Sequence, residues 1–571
     1  MLRECWICAL LFSISAASQQ PAAAPQPTAA PQPKSSVRIP ENSRQQEMGS
    51  IEGRVVGAAG EALKRVDLIL SRIDSTEYTR YSTTSDGNGH FVLVNLDPGK
   101  YHLSGRRRGY VHMTYGAKHP GRPGTTLALD PGQHLSAIVF RLFPQSVITG
   151  RVLDQDGDPV AYAGVQLQNY QYERGQRRLT ETAGETTNDQ GEFRLFGLAP
   201  GRYYLSVSWN QMMGMSSTLE QAASADAAGA ISYTRTYYPA ATNASGAQPI
   251  DLQPGSQIRG LEMMLLKTRT FAVRGRVISS KADPADRPAE IYLVSRDVSR
   301  NFFQDSNRST DSLGNFEFRG ITPGSYVLVA QRWGNPAWGG RATLDVGSAN
   351  VENVVIPISP SAEMRGRLSL EGQTDPNLSE IRVWLEPESS GYAAGAVGSV
   401  KDDGSLVLSN VVPNEYRLGI FGMPDYSYIK AIRLSGRNVL DSTIDFTGGV
   451  AGNLDIVLGA DAGQAEGLVF DAVDQPVSGA IVALVPDTAH RGTRGRYKSA
   501  TTDQYGRFDL KGIAPGDYKL FAWEDIEDGA YEDSEFLKRF EERGEPASIR
   551  ERSHTSYQLK LIPADDKRKP E

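Results

Sequence analysis

The stretch Asp86-Gly-Asn-Gly-His-Phe91, followed by Pro98-Gly99-Lys-Tyr101, recurs with variations five times in this chain of 571 residues. Each copy joins a turn that contains Gly to an apolar residue, and a Tyr follows that apolar residue ten positions later. Self-similarity at a fixed internal spacing indicates a repeat protein, here with units of roughly one hundred residues. The five copies span residues 86–101, 188–203, 311–326, 401–416 and 503–518.

The repeated phrase predicts two turns on either side of a buried strand. In its Asp/Asn-x-x-Gly part, Gly tolerates positive φ, and the Asp or Asn side chain can bond the backbone ahead of it. In its Pro-Gly part, Pro presets its own φ and Gly relieves the next position. The Tyr is predicted to be a buried aromatic residue whose hydroxyl reaches a backbone partner at a corner. These structural residues are Gly99, Gly201, Gly324 and Gly516 in the second turn, and Tyr101, Tyr203, Tyr326, Tyr416 and Tyr518 after it.

Strand patterns surround each copy of the phrase. Val66, Leu68 and Leu70 alternate with polar residues, which predicts a strand with one buried face. Each unit opens on a Gly-Arg-Val-like tripeptide, first at 53–55 and then at 150, 275, 366 and 467. About seven short strands per unit, with turns at regular spacing, are typical of an immunoglobulin-like sandwich. The predicted fold class is therefore all-β, with about five tandem sandwiches.

The tripeptides and turns set the predicted domain boundaries. Unit two carries an insertion with an Ala/Ser-rich run, and unit five carries a segment that places Phe536 and Phe540 on one face of a short amphipathic helix. The predicted sandwiches are 50–143, 146–267 with a long loop at 210–236, 271–359, 362–459 as a degenerate copy, and 463–563 with a helical insertion at 533–543, before a tail at 564–571.

The N-terminus has the features of a secretory signal peptide. Arg3 precedes an apolar stretch that is too short to span a membrane, and small residues end it near position 18. Residues 19–49 form an Ala/Pro/Gln-rich linker. Both cysteines, Cys5 and Cys8, lie within the predicted signal peptide at 1–18. The protein is thus expected to be secreted, periplasmic or attached to the cell surface, with no membrane span.

Catalytic motifs are missing from the sequence. None of the seven His has Glu three residues on, as a zinc carboxypeptidase would need, and there is no Gly-x-Ser-x-Gly motif. The net charge of −7, with both signs interspersed, gives no reason to expect a nucleic-acid partner. We therefore predict a protein that is not an enzyme, with no cofactor and no metal site.

One acidic stretch leaves two alternatives open. Asp154-Gln-Asp156-Gly-Asp158 offers alternate oxygen ligands that suit calcium, but it lacks the closing bidentate Glu of a calcium loop. Its position just after the first strand of unit two favours a hairpin turn over a calcium site.

The order Gly-Arg-Val, Asp-x-x-Gly-x-Phe and Leu-x-Pro-Gly-x-Tyr resembles the carboxypeptidase regulatory-like domain. That family has a prealbumin-like sandwich, similar to repeats of bacterial surface adhesins and to the carbohydrate-binding-like fold group. The resemblance extends over residues 50–563, most strongly in units one, two and five. It implies an accessory or structural module of a bacterial secreted protein, and it does not imply a peptidase.

Exposed aromatic residues are the candidates for binding sugar, because a pyranose ring stacks on a flat apolar surface. Trp333 and Trp523 lie at odd offsets from the buried Tyr of their strands, so both are predicted to point outward. Trp338 is predicted to lie in a Gly-rich loop that begins at Asn335, and Tyr237 and Tyr238 follow the long loop of unit two. Packing between domains is the alternative role for all five.

Three functions are consistent with the sequence. The first is a non-catalytic binding or scaffold protein, with polysaccharide or another extracytoplasmic protein as its partner. The second is an accessory or regulatory subunit of an extracytoplasmic peptidase or glycosidase, and the third is a passive cell-surface stalk.

Overall fold

The computed structural model describes residues 48–75, 79–173, 175–209, 231–279, 287–296, 306–334, 336–372, 378–387, 395–440 and 442–564. The predicted signal peptide at 1–18, the linker up to residue 47, loop residues 210–230 and the tail from residue 565 lie outside the described residues. Within the described ranges, no helix has the length and apolarity needed to cross a membrane.

Sandwich 1 is formed by eight strands: β1 (Gly49–Val56), β2 (Asp67–Arg72), β3 (Arg80–Thr84), β4 (His90–Leu96), β5 (Gly99–Arg106), β6 (Met113–Thr114), β7 (Leu127–Leu129) and β8 (His134–Arg141). One sheet has the order β4-β1-β8, and the other has the order β3-β2-β5-β6 with β7 paired to β5. Side chains from both sheets meet in one core that includes Phe91, Tyr101 and Phe140.

Sandwich 2 repeats this plan with β9 (Ser146–Asp154), β10 (Ala163–Glu173), β11 (Gln176–Thr186), β12 (Glu192–Leu198), β13 (Gly201–Trp209), β14 (Ile231–Thr234), β15 (Thr236–Tyr237), β16 (Ile250–Leu252) and β17 (Gln257–Arg269). Its sheets have the orders β12-β9-β17-β14 and β11-β10-β13-β15, with β16 paired to β13. A 3-10 turn lies at Ala244–Gly246.

Sandwich 3 contains β18 (Phe271–Ser279), β19 (Glu290–Ser295), β20 (Ser306–Ser309), β21 (Asn315–Ile321), β22 (Gly324–Arg332), β23 (Trp338–Val346) and β24 (Val351–Pro360). Its strands form one continuous sheet in the order β20-β19-β22-β23-β24-β18-β21. The two halves are joined where Trp338 of β23 pairs with Pro360 of β24.

Sandwich 4 contains β25 (Ala362–Glu371), β26 (Arg382–Pro387), β27 (Ala396–Ser399), β28 (Ser405–Val411), β29 (Glu415–Phe421), β30 (Tyr428–Leu434), β31 (Arg437–Asn438), β32 (Ile444–Asp445) and β33 (Leu454–Gly459). Its sheet orders are β28-β25-β33-β30-β31 and β27-β26-β29-β32.

Sandwich 5 contains β34 (Gly463–Phe470), β35 (Ile481–Pro486), β36 (Lys498–Thr501), β37 (Arg507–Ile513), β38 (Gly516–Trp523), β39 (Glu545–Ile549) and β40 (His554–Lys560). Its sheets have the orders β37-β34-β40 and β36-β35-β38-β39. The insertion before β39 holds the short helix α1 (Ser534–Lys538) between 3-10 turns at Ala530–Glu532 and Glu541–Arg543, while further 3-10 turns lie at Thr488–His490 and Arg494–Arg496.

The first and last strands of every sandwich run parallel and adjacent. A Cβ added to Gly53 on β1 would lie 2.1 Å from the carbonyl oxygen of Ile138 on β8. A Cβ at Gly467 on β34 would lie 2.0 Å from the carbonyl oxygen of Tyr557 on β40. The Gly of the opening tripeptide is therefore required by the close approach of the last strand. Together these sheets confirm the predicted all-β fold of tandem immunoglobulin-like, prealbumin-like sandwiches.

Sandwich 5 contacts sandwiches far from it in the sequence. On sandwich 1, the side chain of Gln504 exchanges two hydrogen bonds with the backbone of Ala128, at 2.6 and 2.9 Å. On sandwich 2, the rings of Tyr172 and Phe536 meet edge to face, with centroids 6.0 Å apart. The chain thus returns from its last sandwich to its first two.

Candidate functional site

The repeated Tyr forms the same corner in all five sandwiches. Each hydroxyl donates to the carbonyl oxygen four residues earlier, with distances of 2.6 Å for Tyr101, 3.0 Å for Tyr203, 2.8 Å for Tyr326, 2.9 Å for Tyr416 and 2.7 Å for Tyr518. Burial raises the pKa of Tyr416 to about 12. Each of the five hydroxyls therefore has an architectural role, because it donates to a backbone carbonyl oxygen of its own corner.

The Pro-Gly turn explains why Gly precedes this Tyr. Gly99, Gly201, Gly324 and Gly516 have φ between +156° and +158°, which side chains rarely adopt. A Cβ at Gly201 would also lie 3.3 Å from the ring of Tyr203. The degenerate fourth copy has Asn414 instead, and its side-chain oxygen accepts from the amide of Glu415 at 2.9 Å.

The Asp-x-x-Gly phrase forms the predicted turn. The Oδ1 atom of Asp86 accepts from the amides of Asn88 and His90 at 2.9 and 2.8 Å, and Gly89 has φ +76°. Asp503 makes the same pair of bonds in sandwich 5. These carboxylates are therefore occupied by their own backbone.

Asp154-Gln-Asp156-Gly-Asp158 is also a turn. The Oδ1 atom of Asp154 accepts from the amides of Asp156 and Asp158 at 2.9 and 3.0 Å. The ammonium of Lys267 lies 2.9 Å from Asp154 Oδ2 and also pairs with Asp156. Hydrogen bonding to Lys267, together with these backbone bonds, lowers the pKa of Asp154 to about 2. A lysine thus stands where a calcium ion would bind, and among the described residues no group of His, Cys, Asp and Glu is arranged to hold a metal.

Trp523 does not have the predicted exposure. Its side chain is 1% exposed and stacks on Phe521, with ring centroids 5.1 Å apart. The insertion covers it, because Phe536 and Phe540 lie 6.1 and 5.9 Å from its ring. Trp523 does point away from the main core of its sandwich, as its offset from Tyr518 indicates, but a second layer buries it. It cannot stack on a sugar in this arrangement.

Trp338 and Tyr237 are also buried, and Tyr238 is half-buried. Trp338 begins strand β23 instead of lying in a loop, and it is 6% exposed in the core of sandwich 3. Tyr237 is buried where β15 pairs with β13, and Tyr238 packs against the core of sandwich 2. These three side chains contribute to packing.

Trp333 differs from the other four candidates because its side chain is 55% exposed. Its Nε1 atom donates to Oε2 of Glu290 at 3.1 Å, and the hydroxyl of Tyr292 donates to the same oxygen at 2.8 Å. The indole is therefore held in one orientation beside a carboxylate and a second aromatic ring. We refer to Trp333, Glu290 and Tyr292 as the Trp333 surface.

A cleft between sandwiches 4 and 5 is the second candidate site. It has a volume of about 420 Å³, within the range of small-molecule pockets. Trp384, Arg417 and Tyr428 line it on the sandwich 4 side, and Arg496, Tyr497 and Lys498 line it on the sandwich 5 side. We name these six residues the 4–5 cleft.

Sequence comparison decides the family of the first two sandwiches. A family model described as the carboxypeptidase regulatory-like domain matches residues 50–142 and, a second time, residues 147–230. The chain carries two carboxypeptidase regulatory-like domains. The resemblance of sandwiches 3 to 5 to the same family stays a prediction. No curated protein sequence matches the chain.

Several solved structures resemble parts of the chain at low identity. The Bacillus anthracis TIE protein is 13% identical with a TM-score of 0.16, over 55% of this chain and 51% of that one. A streptococcal ancillary pilin is 11% identical with a TM-score of 0.19, over 55% of this chain and 99% of its own. BcpA, the major pilin subunit of Bacillus cereus, is 12% identical with a TM-score of 0.14, over 55% of this chain and all of its own. This chain thus matches about half the length of the TIE protein.

The 4–5 cleft lies outside the two matched carboxypeptidase regulatory-like domains, and its aromatic residue Trp384 was not among the predicted candidates. Trp384 stands between the buried Val383 and Leu385 on β26, so strand alternation alone would have predicted an outward indole. It was missed because it does not follow the repeated Tyr. Its neighbour across the sheet, Gly419, has no side chain that could separate the indole from the strand.

Proposed function

We propose that the protein is a non-catalytic, extracytoplasmic binding scaffold that presents the Trp333 surface to carbohydrate. The observation that carries this proposal is the exposed Trp333 indole, which a carboxylate holds in place. One face of a fixed indole offers apolar area to a pyranose ring, while the neighbouring carboxylate accepts hydrogen bonds from sugar hydroxyls. A fixed side chain also loses little conformational entropy on binding.

The return of sandwich 5 to sandwich 1 favours a scaffold over a passive stalk. Besides the Gln504 pair, Gln133 donates to the Tyr505 hydroxyl at 2.7 Å, and Thr501 donates to the Gly124 carbonyl at 2.8 Å. Lys118 forms an ion pair with Glu524. A stalk needs contacts only between consecutive domains, whereas these contacts join the two ends of the array. We name them the 1–5 contact.

Export from the cytoplasm is part of the proposal. The predicted signal peptide at 1–18 supports it. Expression of the full chain with a C-terminal tag tests it. We expect mature protein outside the cytoplasm that begins near residue 19, and full-length protein retained in the cytoplasm would contradict it.

Capture on insoluble polysaccharides tests the binding role. We expect wild-type protein to be retained by at least one polysaccharide, and Trp333→Ala to lose most of that retention. Phe196→Ala is the matched control, because Phe196 is 61% exposed on another sandwich. Retention that is equal for wild type and Trp333→Ala, or that falls equally in Phe196→Ala, would overturn the proposal.

A further inference from the structure

The 4–5 cleft combines a flat aromatic wall with a cationic wall. On sandwich 4, Trp384 lies directly over Gly419, where an added Cβ would come within 1.2 Å of the indole Nε1. Phe421 packs against the same indole, with ring centroids 4.7 Å apart. The sheet beneath the indole and Phe421 beside it on the same sheet face restrict the indole, which makes it a rigid platform in the cleft.

The facing wall comes from residues 496–498 of sandwich 5. Tyr497 anchors this segment, because its hydroxyl donates to the carbonyl oxygen of Arg491 at 3.1 Å. Arg491 in turn donates two hydrogen bonds, at 2.9 and 3.0 Å, to the carboxylate of Glu541 in the insertion. The same insertion that covers Trp523 therefore also fixes the wall that carries Arg496 and Lys498.

Charge in the cleft is positive on balance. Arg417, Arg496 and Lys498 line it together with two acids, Glu386 and Glu532. Glu386 lies directly opposite Arg417 in the strand register, so the charges of these two residues offset each other. Burial lowers the pKa of Lys498, and the acid that acts against this shift, Asp425, is largely exposed and lies 3.8 Å from Lys511. A half-buried ammonium of this kind gains from a negative partner inside the cleft.

We propose that the 4–5 cleft binds an acidic saccharide, whose ring stacks on Trp384 and whose carboxylate or sulfate group is bound by Lys498 and Arg496. Planar apolar area and paired cationic donors are the two features that such a ligand needs. The cleft lies in different sandwiches from the Trp333 surface, so either proposal can be overturned without the other.

Isothermal titration of the full mature chain tests the cleft. The probes are oligogalacturonate, a chondroitin sulfate oligosaccharide, a neutral malto-oligosaccharide and inorganic sulfate. We expect at least one acidic saccharide to bind, and neither the neutral saccharide nor sulfate to bind at the same concentration. Binding by no acidic saccharide would overturn the proposal, and so would equally tight binding of the neutral saccharide or of sulfate alone.

Variants separate the cleft from general electrostatic attraction. Lys498→Met and Trp384→Leu should each weaken binding of the acidic saccharide by about tenfold or more. Arg496→Gln provides a second cationic variant with an intact Lys498. Lys511→Met is the matched control, because it removes an exposed positive charge on the same sandwich outside the cleft. Unchanged affinity in Lys498→Met and Arg496→Gln, or an equal loss in Lys511→Met, would overturn the proposal, whereas Trp333→Ala should bind like wild type.

Discussion

Trp333 and Trp523 follow the repeated Tyr at odd offsets in sandwiches 3 and 5, yet one is 55% exposed and the other 1% exposed. Both point away from the main cores of their sandwiches. The difference comes from what covers the outer face of each sheet. In sandwich 5 the insertion supplies Leu537 and Phe540 as a second apolar layer. Strand alternation therefore predicts the face of a residue, while exposure depends on segments elsewhere in the chain.

The largest loss of stability is expected when the buried Trp523 is replaced. Trp523→Ala removes the central ring of the second layer, and we expect a loss of about 3–5 kcal/mol in the free energy of unfolding, as for large aromatic residues in a core. Urea denaturation measures this loss. Because the buried Nε1 of Trp523 has no hydrogen-bond partner in the described structure, Trp523→Phe should be much less harmful. A loss below about 1 kcal/mol in Trp523→Ala would contradict the assigned burial.

A smaller loss of stability is expected on the inner faces of β38 and β22, where the repeated Tyr lies. Tyr518→Phe on β38 and Tyr326→Phe on β22 each remove one hydroxyl that donates to a backbone carbonyl oxygen, which is buried at Ala514 and half-buried at Thr322. We expect each to lower the free energy of unfolding by about 0.5–1.5 kcal/mol, measured by urea denaturation. Similar losses would show that the corners are equivalent although the outer faces differ. A loss in one variant only would contradict the common corner.

The stability contributed by the insertion that covers Trp523 should also depend on pH. Burial opposes the ionisation of Glu541, but the bonds from Arg491 and Lys519 outweigh it and lower the pKa of its carboxylate. A carboxylate whose folded pKa lies below its unfolded value stabilises the fold above that unfolded value, which is 4.5, and the stabilisation is lost as pH falls through the folded pKa.

Glu541→Gln should therefore lower the free energy of unfolding by about 1 kcal/mol or less at neutral pH. The variant should also lose less stability than the wild type when the pH falls below about 4.5. Melting temperatures of both proteins across this range provide the measurement. Parallel curves for variant and wild type would contradict the role of Glu541.

The smallest effect on stability is expected at the open site. Trp333→Ala should change the free energy of unfolding by less than about 0.5 kcal/mol, because its side chain is mainly in solvent. Urea denaturation of Trp333→Ala and Trp523→Ala under the same conditions measures the difference between the two sites. A loss comparable to that of Trp523→Ala would mean that Trp333 is also covered.

The fold could be predicted because its determinants are local. The Asp86 turn, the Pro98-Gly99 turn and the Tyr101 corner each depend on residues within a few positions of one another. The position of Trp338 was harder to predict, because β23 forms only through pairing with β22 and β24. Gly and Pro near it indicated a loop, and tertiary pairing overrode that local preference.

The candidate sites could be predicted only in part. Trp333 was found because it follows the repeated Tyr, and its partner Glu290 comes from a strand that lies 43 positions earlier. The 4–5 cleft was not found, because its walls belong to two sandwiches whose contact no local pattern specifies. Trp384 shows that alternation identifies a candidate once every strand is considered, and not only the strand after the Tyr.

Sandwich 5 joins the two ends of the array through the 1–5 contact, and the Trp333 surface of sandwich 3 stays exposed. Zero-length cross-linking between amines and carboxylates, followed by mass spectrometry of the monomer, tests the 1–5 contact at the Lys118–Glu524 ion pair. We predict a Lys118–Glu524 cross-linked peptide in monomeric protein, and its loss in Lys118→Gln. Cross-links confined to neighbouring sandwiches, with none between sandwiches 1 and 5, would contradict the 1–5 contact.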